Sequence, residues 1–174
     1  MVIAILLTST LLTMLGIAGV IRGVSNLSMA PIKEDVRELY DPDVELTDAA
    51  IQLFEAQLSN PYRRPMAASN VAVSALVLIG SFLLSWRRRL ALWWIKQAVT
   101  AKLLWIVAYT VTLVSHIQQS FNAVPSDQPE GMFEGLVGGV VLISTFNGAL
   151  HVAAAYRANR PDIRQFIETA AAKN

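Results

Sequence analysis

The chain has 174 residues, of which 54% are hydrophobic, with a formal net charge of +1 and no cysteine. A mean hydropathy of +0.46, with the apolar residues gathered in long blocks, excludes an ordinary soluble domain, whose apolar residues recur at amphipathic spacing. The near-zero charge gives no global argument for nucleic acid, and the missing cysteines exclude disulfides, thiolate metal sites, iron–sulfur clusters and cysteine nucleophiles.

The pattern predicts an all-α integral membrane protein: four transmembrane helices with a short amphipathic helix in the first extramembrane loop. Residues 1–22 form the first span, with no charge before Arg22. No positive segment precedes this run, and Pro31 follows Ser28-Met29-Ala30, which disfavours cleavage there; the segment is expected to be retained as a helix. Thr8, Ser9, Thr10 and Thr13 can bond back to carbonyls of their own helix. Gly16, Gly19 and Gly23, at spacings of three and four, permit close helix approach.

Residues 23–65 form an acidic loop, placing Lys33, Arg37, Arg63 and Arg64 against Glu34, Asp35, Glu38, Asp41, Asp43, Glu45, Asp48 and Glu55. Leu46, Ala50, Leu53, Phe54 and Leu58 recur at helical spacing and predict an amphipathic helix over about 46–58. Asp43 or Thr47 would cap it, and Asn60-Pro61 would stop it. The carboxylates follow no calcium-loop spacing, so a solvated segment is expected rather than a cation site.

Residues 66–121 read as a transmembrane hairpin, helices 2 and 3, around Arg87-Arg88-Arg89. Three adjacent cations resist translocation, so this turn is a topology anchor that can also touch anionic lipid. Ala68, Ala72 and Ala75 share a face of helix 2, and Ser69, Asn70, Ser74 and Ser81 can bond to neighbouring helices. Trp93 and Trp94 suit the headgroup level, and Lys96 can snorkel back to it. Lys102 admits two placements: at the start of the true span, or inside the membrane with a partner.

Residues 122–131 form a short outer loop without lysine or arginine, and 132–156 the fourth helix. Gly135, Gly138 and Gly139 crowd the start of that helix and are expected to serve helix packing. Residues 157–174 form a basic tail, in which Pro161 can open a last short helix through Ala172. The positive-inside rule places the arginine turn, the tail and both termini in the cytoplasm of a bacterial-type inner membrane, with 23–65 outside.

With this topology the polar groups of helices 3 and 4 fall into two layers. His116 and Glu134 lie near the outer surface as a polar pair. Lys102 is about 21 Å below His116, and His151 about 26 Å below Glu134, from the helical rise. A single haem bridging His116 and His151 is therefore disfavoured, although ligation by one histidine or by a partner's residue stays open. Asn147 and His151 share a helix face. With Lys102 nearby they suggest a quinone or proton site, against the blander reading of an interhelical hydrogen bond, which is preferred.

No phosphate loop, nucleophile elbow, H-E-x-x-H or aspartate-rich metal motif is present, and the sequence names no cofactor. Nucleic-acid binding lacks both a basic groove and an aromatic platform. The expected function is a non-catalytic accessory subunit of a larger membrane complex, stabilising assembly by helix packing, with other integral membrane subunits and lipids as partners. One alternative is a small homo-oligomeric channel or transporter. A further alternative is a quinone- or haem-binding redox subunit that uses His151, Asn147 and Lys102.

Overall fold

The computed structural model describes residues 2–28, 59–123 and 131–171, and the regular structure among them is entirely helical. The helices are α1 (Val2–Ser28), α2 (Arg63–Ser85), α3 (Ala91–Ala123), α4 (Met132–Ala158) and α5 (Pro161–Ala171). The first four are long and apolar enough to cross a membrane. The amphipathic helix expected over about 46–58 and most of the 122–131 loop lie outside the described residues.

Helix α1 runs past Arg22 to Ser28, so that arginine sits within the helix rather than at its end. Its glycines bring it directly onto α2. A Cβ on Gly16 would lie 2.6 Å from Leu78 Cγ, and one on Gly23 would lie 2.9 Å from the Ala67 carbonyl oxygen. Small residues at this spacing let two backbones touch, which replaces the hydrophobic drive that apolar surroundings lack. Polar stitches fix the register: Ser81 Oγ donates to the Ser9 carbonyl at 2.7 Å, and Ser81 and Thr13 hydroxyls are paired at 2.5 Å. Thr8 bonds back to the Ala4 carbonyl at 2.8 Å, as its place in a helix allows.

The arginine turn closes α2 tightly. The Arg88 N–H donates to the Leu83 carbonyl and the Arg87 N–H to the Leu84 carbonyl, both at 3.0 Å. Arg87 takes the left-handed conformation, φ 54°, at a position where helices usually place glycine. Its guanidinium then lies 5.3 Å from the ring centre of Phe166 on α5. Helix α5 packs across this end of the bundle, with Ile163 and Ile167 buried beside Leu84, Ala91, Ile95, Ala154 and Ala158. Pro161 in its first turn and an Arg164–Glu168 pair on its exposed side match its amphipathic sequence.

Helix α3 packs on α2 and on α4, and α4 also touches α1. Trp93 is exposed, as a headgroup anchor would be, whereas Trp94 turns inward and donates from Nε1 to the Leu76 carbonyl at 2.9 Å. Gly80 leaves room for that indole. The α4 glycines behave differently from those of α1. Among the described residues, a Cβ on Gly135, Gly138 or Gly139 would meet nothing within 4 Å, so none of α1, α2, α3 and α5 packs against them.

Candidate binding cavity

At the end opposite the arginine turn, the helices enclose a cavity of about 300 Å³. Arg22 and Asn26 of α1 line it, with Asn60, Tyr62, Arg63 and Asn70 at and within the start of α2. Trp105 and Tyr109 of α3 and Ser144 and Asn147 of α4 complete its polar and aromatic wall, and Ile106, Leu113 and Ile143 supply apolar surface.

Lys102 stands behind Asn70. It is 2% exposed, buried among the helices with partners of its own. Its ammonium donates to Asn70 Oδ1 at 2.5 Å and to Ser74 Oγ at 2.9 Å, and it sits 4.5 Å from the centre of the Trp105 ring. Two lone-pair acceptors and one π face thus match its three N–H bonds. Asn70 and Ser74 are one helical turn apart and share a face of α2, which is why both reach the same cation. Gly19 completes the pocket for the ammonium: a Cβ there would lie 3.3 Å from Nζ and would collide with Ser74 Oγ.

The need of Lys102 for an acceptor orients the Asn70 amide. Oδ1 faces the lysine, and Nδ2 donates one of its two hydrogens to the Gly19 carbonyl at 2.9 Å. Trp105 is fixed as well, donating from Nε1 to Ser69 Oγ at 3.0 Å and stacking on Tyr109 with ring centres 5.0 Å apart. The floor of the cavity is therefore rigid and tied to three helices.

His151 is 1% exposed on α4. Its Nδ1–H donates to the Asn147 carbonyl at 2.8 Å, which leaves the Nε2 lone pair buried without a partner. Arg22 and Arg63 line the cavity, and Lys102 stands behind Asn70. The acidic residues among those described are Glu134, Asp162 and Glu168, and none lines the cavity.

The other sequence-derived candidates lie elsewhere. Glu134 is exposed in the first turn of α4, and His116 is half-buried towards the end of α3. Arg88 and Arg89 are exposed beside Arg87 at the opposite end. Of the inner layer, Asn147 lines the cavity itself, Lys102 reaches it only through Asn70, and His151 lies one turn beyond Asn147 on α4. Sequence reasoning did not assign Arg22, Asn70, Trp105 or Tyr109 to a site. The signal available was the one-turn spacing of Asn70 and Ser74 within a span otherwise free of amides, facing a helix with a mid-span lysine.

No protein-family model, curated protein or solved structure matches this chain.

Proposed function

We propose that this chain is a non-catalytic integral membrane protein that binds a small amphipathic molecule in the cavity between α1, α2, α3 and α4. The observation that carries this reading is the preorganised polar floor, in which buried Lys102 holds Asn70 against a chamber walled by Trp105 and Tyr109. Burying a lysine costs several kcal/mol, and ordinary helix packing does not require it. A concave, mostly apolar site with a few fixed polar groups is the usual form of a small-molecule pocket. The polar side chains of the cavity are amides, phenols, hydroxyls, guanidinium groups and one indole. Such a set binds and orients a molecule.

The test is to purify the protein in mild detergent and identify retained small molecules by native mass spectrometry, beside a Ser144→Phe variant that fills the chamber. Retention by the wild type and loss by the variant is the expected result. Identical bound species in both would refute the cavity as the site.

A second reading, membership in a larger membrane complex, is favoured by the Gly135, Gly138 and Gly139 face, which no helix among the described residues covers. Stoichiometric co-purifying membrane subunits would support it. The proposed orientation puts the arginine turn and α5 in the cytoplasm. Because the chain has no cysteine, single cysteines at Arg88 and Asn26 report the two sides with an impermeant maleimide.

A further inference from the structure

Resting on the membrane-spanning part of the reading above and not on its cavity, we infer that the end of the bundle around the arginine turn binds the headgroups of anionic phospholipids. Two independent features support this. The first is charge without an internal partner. Arg88 and Arg89 of the turn, Lys96 in the second turn of α3 and Arg157 near the end of α4 are exposed, and none is paired with a carboxylate among the described residues. Asp162 and Glu168 of α5 are already engaged, with Arg160 at 3.4 Å and Arg164 at 3.1 Å. The other acidic residues of the chain are Glu134, at the far end of α4, and those of 29–58 and 124–130, segments that join the bundle at its opposite end. Residues 172–174 add Lys173 and no acidic side chain. Helix α2, with 23 residues, puts about 34 Å between the two ends. Cations gathered at the end of apolar spans attract anionic lipid, and the planar arginine fork matches the oxygens of a phosphodiester.

The second feature sets the depth. Trp86 at the end of α2, Trp93 in the first turn of α3 and Tyr156 at the end of α4 are all more than half exposed. Each adjoins a cation: Trp86 precedes the arginine turn, Tyr156 precedes Arg157, and Trp93 shares a helix face with Lys96. Amphipathic rings beside basic groups on three helices are the pattern of a membrane interface, where the ring meets the apolar core and the cation meets the phosphates. An acidic protein partner would account for the charge but gives no reason for exposed rings on α2, α3 and α4 alike. Helix α5 spends its apolar face on the bundle, through Ile163 and Ile167, so it turns its polar side towards the headgroups and does not compete for the acyl chains.

The experiment reconstitutes the full chain in symmetric phosphatidylcholine bilayers, so that the readout does not depend on orientation. Spin-labelled phosphatidylglycerol and spin-labelled phosphatidylcholine are compared by the fraction of each that is immobilised at the protein. The expected result is a preference of about fivefold for phosphatidylglycerol, weakened by salt. Changing Arg88, Arg89 and Arg157 together to glutamine should abolish most of it, whereas changing them to lysine should keep most of it. Arg64→Gln at the opposite end, and the Ser144→Phe change in the cavity, should leave the preference as it is.

Equal immobilisation of the two lipids, or a preference that survives the triple glutamine change, would overturn the inference and leave the membrane-spanning reading standing. Inorganic phosphate that removes the preference at matched ionic strength would show that the surface takes a free anion, and the inference would fall. So would a stoichiometric acidic protein that occupies this end in the wild type and is released by the glutamine changes. Immobilisation of neither lipid would count against the membrane-spanning reading itself, and the inference would fall with it.

Discussion

Asn70 accepts a hydrogen bond from the Lys102 ammonium at 2.5 Å and donates one to the Gly19 carbonyl at 2.9 Å, so a single amide joins α1, α2 and α3. Removing that amide leaves a buried cation short of an acceptor. Asn70→Leu should therefore destabilise the protein by about 3 kcal/mol, within the range for uncompensated buried charge. Lys102→Met in the Asn70→Leu background should recover much of the loss, because the charge and its missing partner disappear together. Denaturation of the two single variants and the double variant in mixed micelles measures this coupling; strict additivity would show that the two side chains do not depend on each other.

The glycines of α1 and α4 should respond in opposite ways. Gly19→Ala places a methyl group against Ser74 Oγ, and the overpacking should cost about 1–3 kcal/mol. Gly138→Ala meets open space and should be neutral or stabilise α4 by up to about 1 kcal/mol through helix propensity. Thermal melts of the monodisperse protein distinguish them. A strongly destabilised Gly138→Ala would reveal a partner helix on that face, in keeping with membership in a complex.

His151 provides a test of whether its buried nitrogen has an occupant. With Nε2 unpartnered, His151→Leu loses one hydrogen bond to Asn147 and also removes an unsatisfied buried polar atom. These effects oppose each other, so the change should lie within about 1 kcal/mol of wild type. A loss well beyond that, seen only in protein carrying its native bound molecule, would place Nε2 in contact with that molecule.

Helix α5 should be held by its apolar face rather than by its ion pairs. Ile167 is 1% exposed, and Ile167→Ala should cost about 2–5 kcal/mol or release the helix from the bundle. Glu168→Gln, which breaks the exposed pair with Arg164, should cost less than about 0.5 kcal/mol. Hydrogen exchange across Pro161–Ala171 distinguishes local release from global unfolding.

The order of the helices, the tight arginine turn and the helix opened by Pro161 were all legible in the residues, because length, hydropathy and turn chemistry are local properties. The glycines at 16, 19 and 23 were also readable as packing elements, since their spacing alone puts them on one face. The α1 hydroxyls were readable as bonding back to their own helix, which Thr8 and Ser9 do, whereas Thr13 pairs with Ser81 of α2. The candidate site was legible only in pieces. Lys102 and Asn147 stood out as polar groups in apolar spans, whereas Arg22 looked like a helix-end charge and Asn70 like one of several small polar residues.

What the sequence determined by itself is the four long apolar helices, the short helix opened by Pro161, and their approximate ends. What only the tertiary structure decided is which way each helix faces: that Lys102 turns inward to Asn70, that Arg22 lines a chamber, and that Gly135, Gly138 and Gly139 meet no other helix among the described residues. The physical reason is rotational. A helix that is apolar all round carries little amphipathic signal to set its rotation about its own axis. That angle is fixed instead by a few contacts with neighbours distant in sequence, and here the Asn70–Lys102–Gly19 junction is one of them.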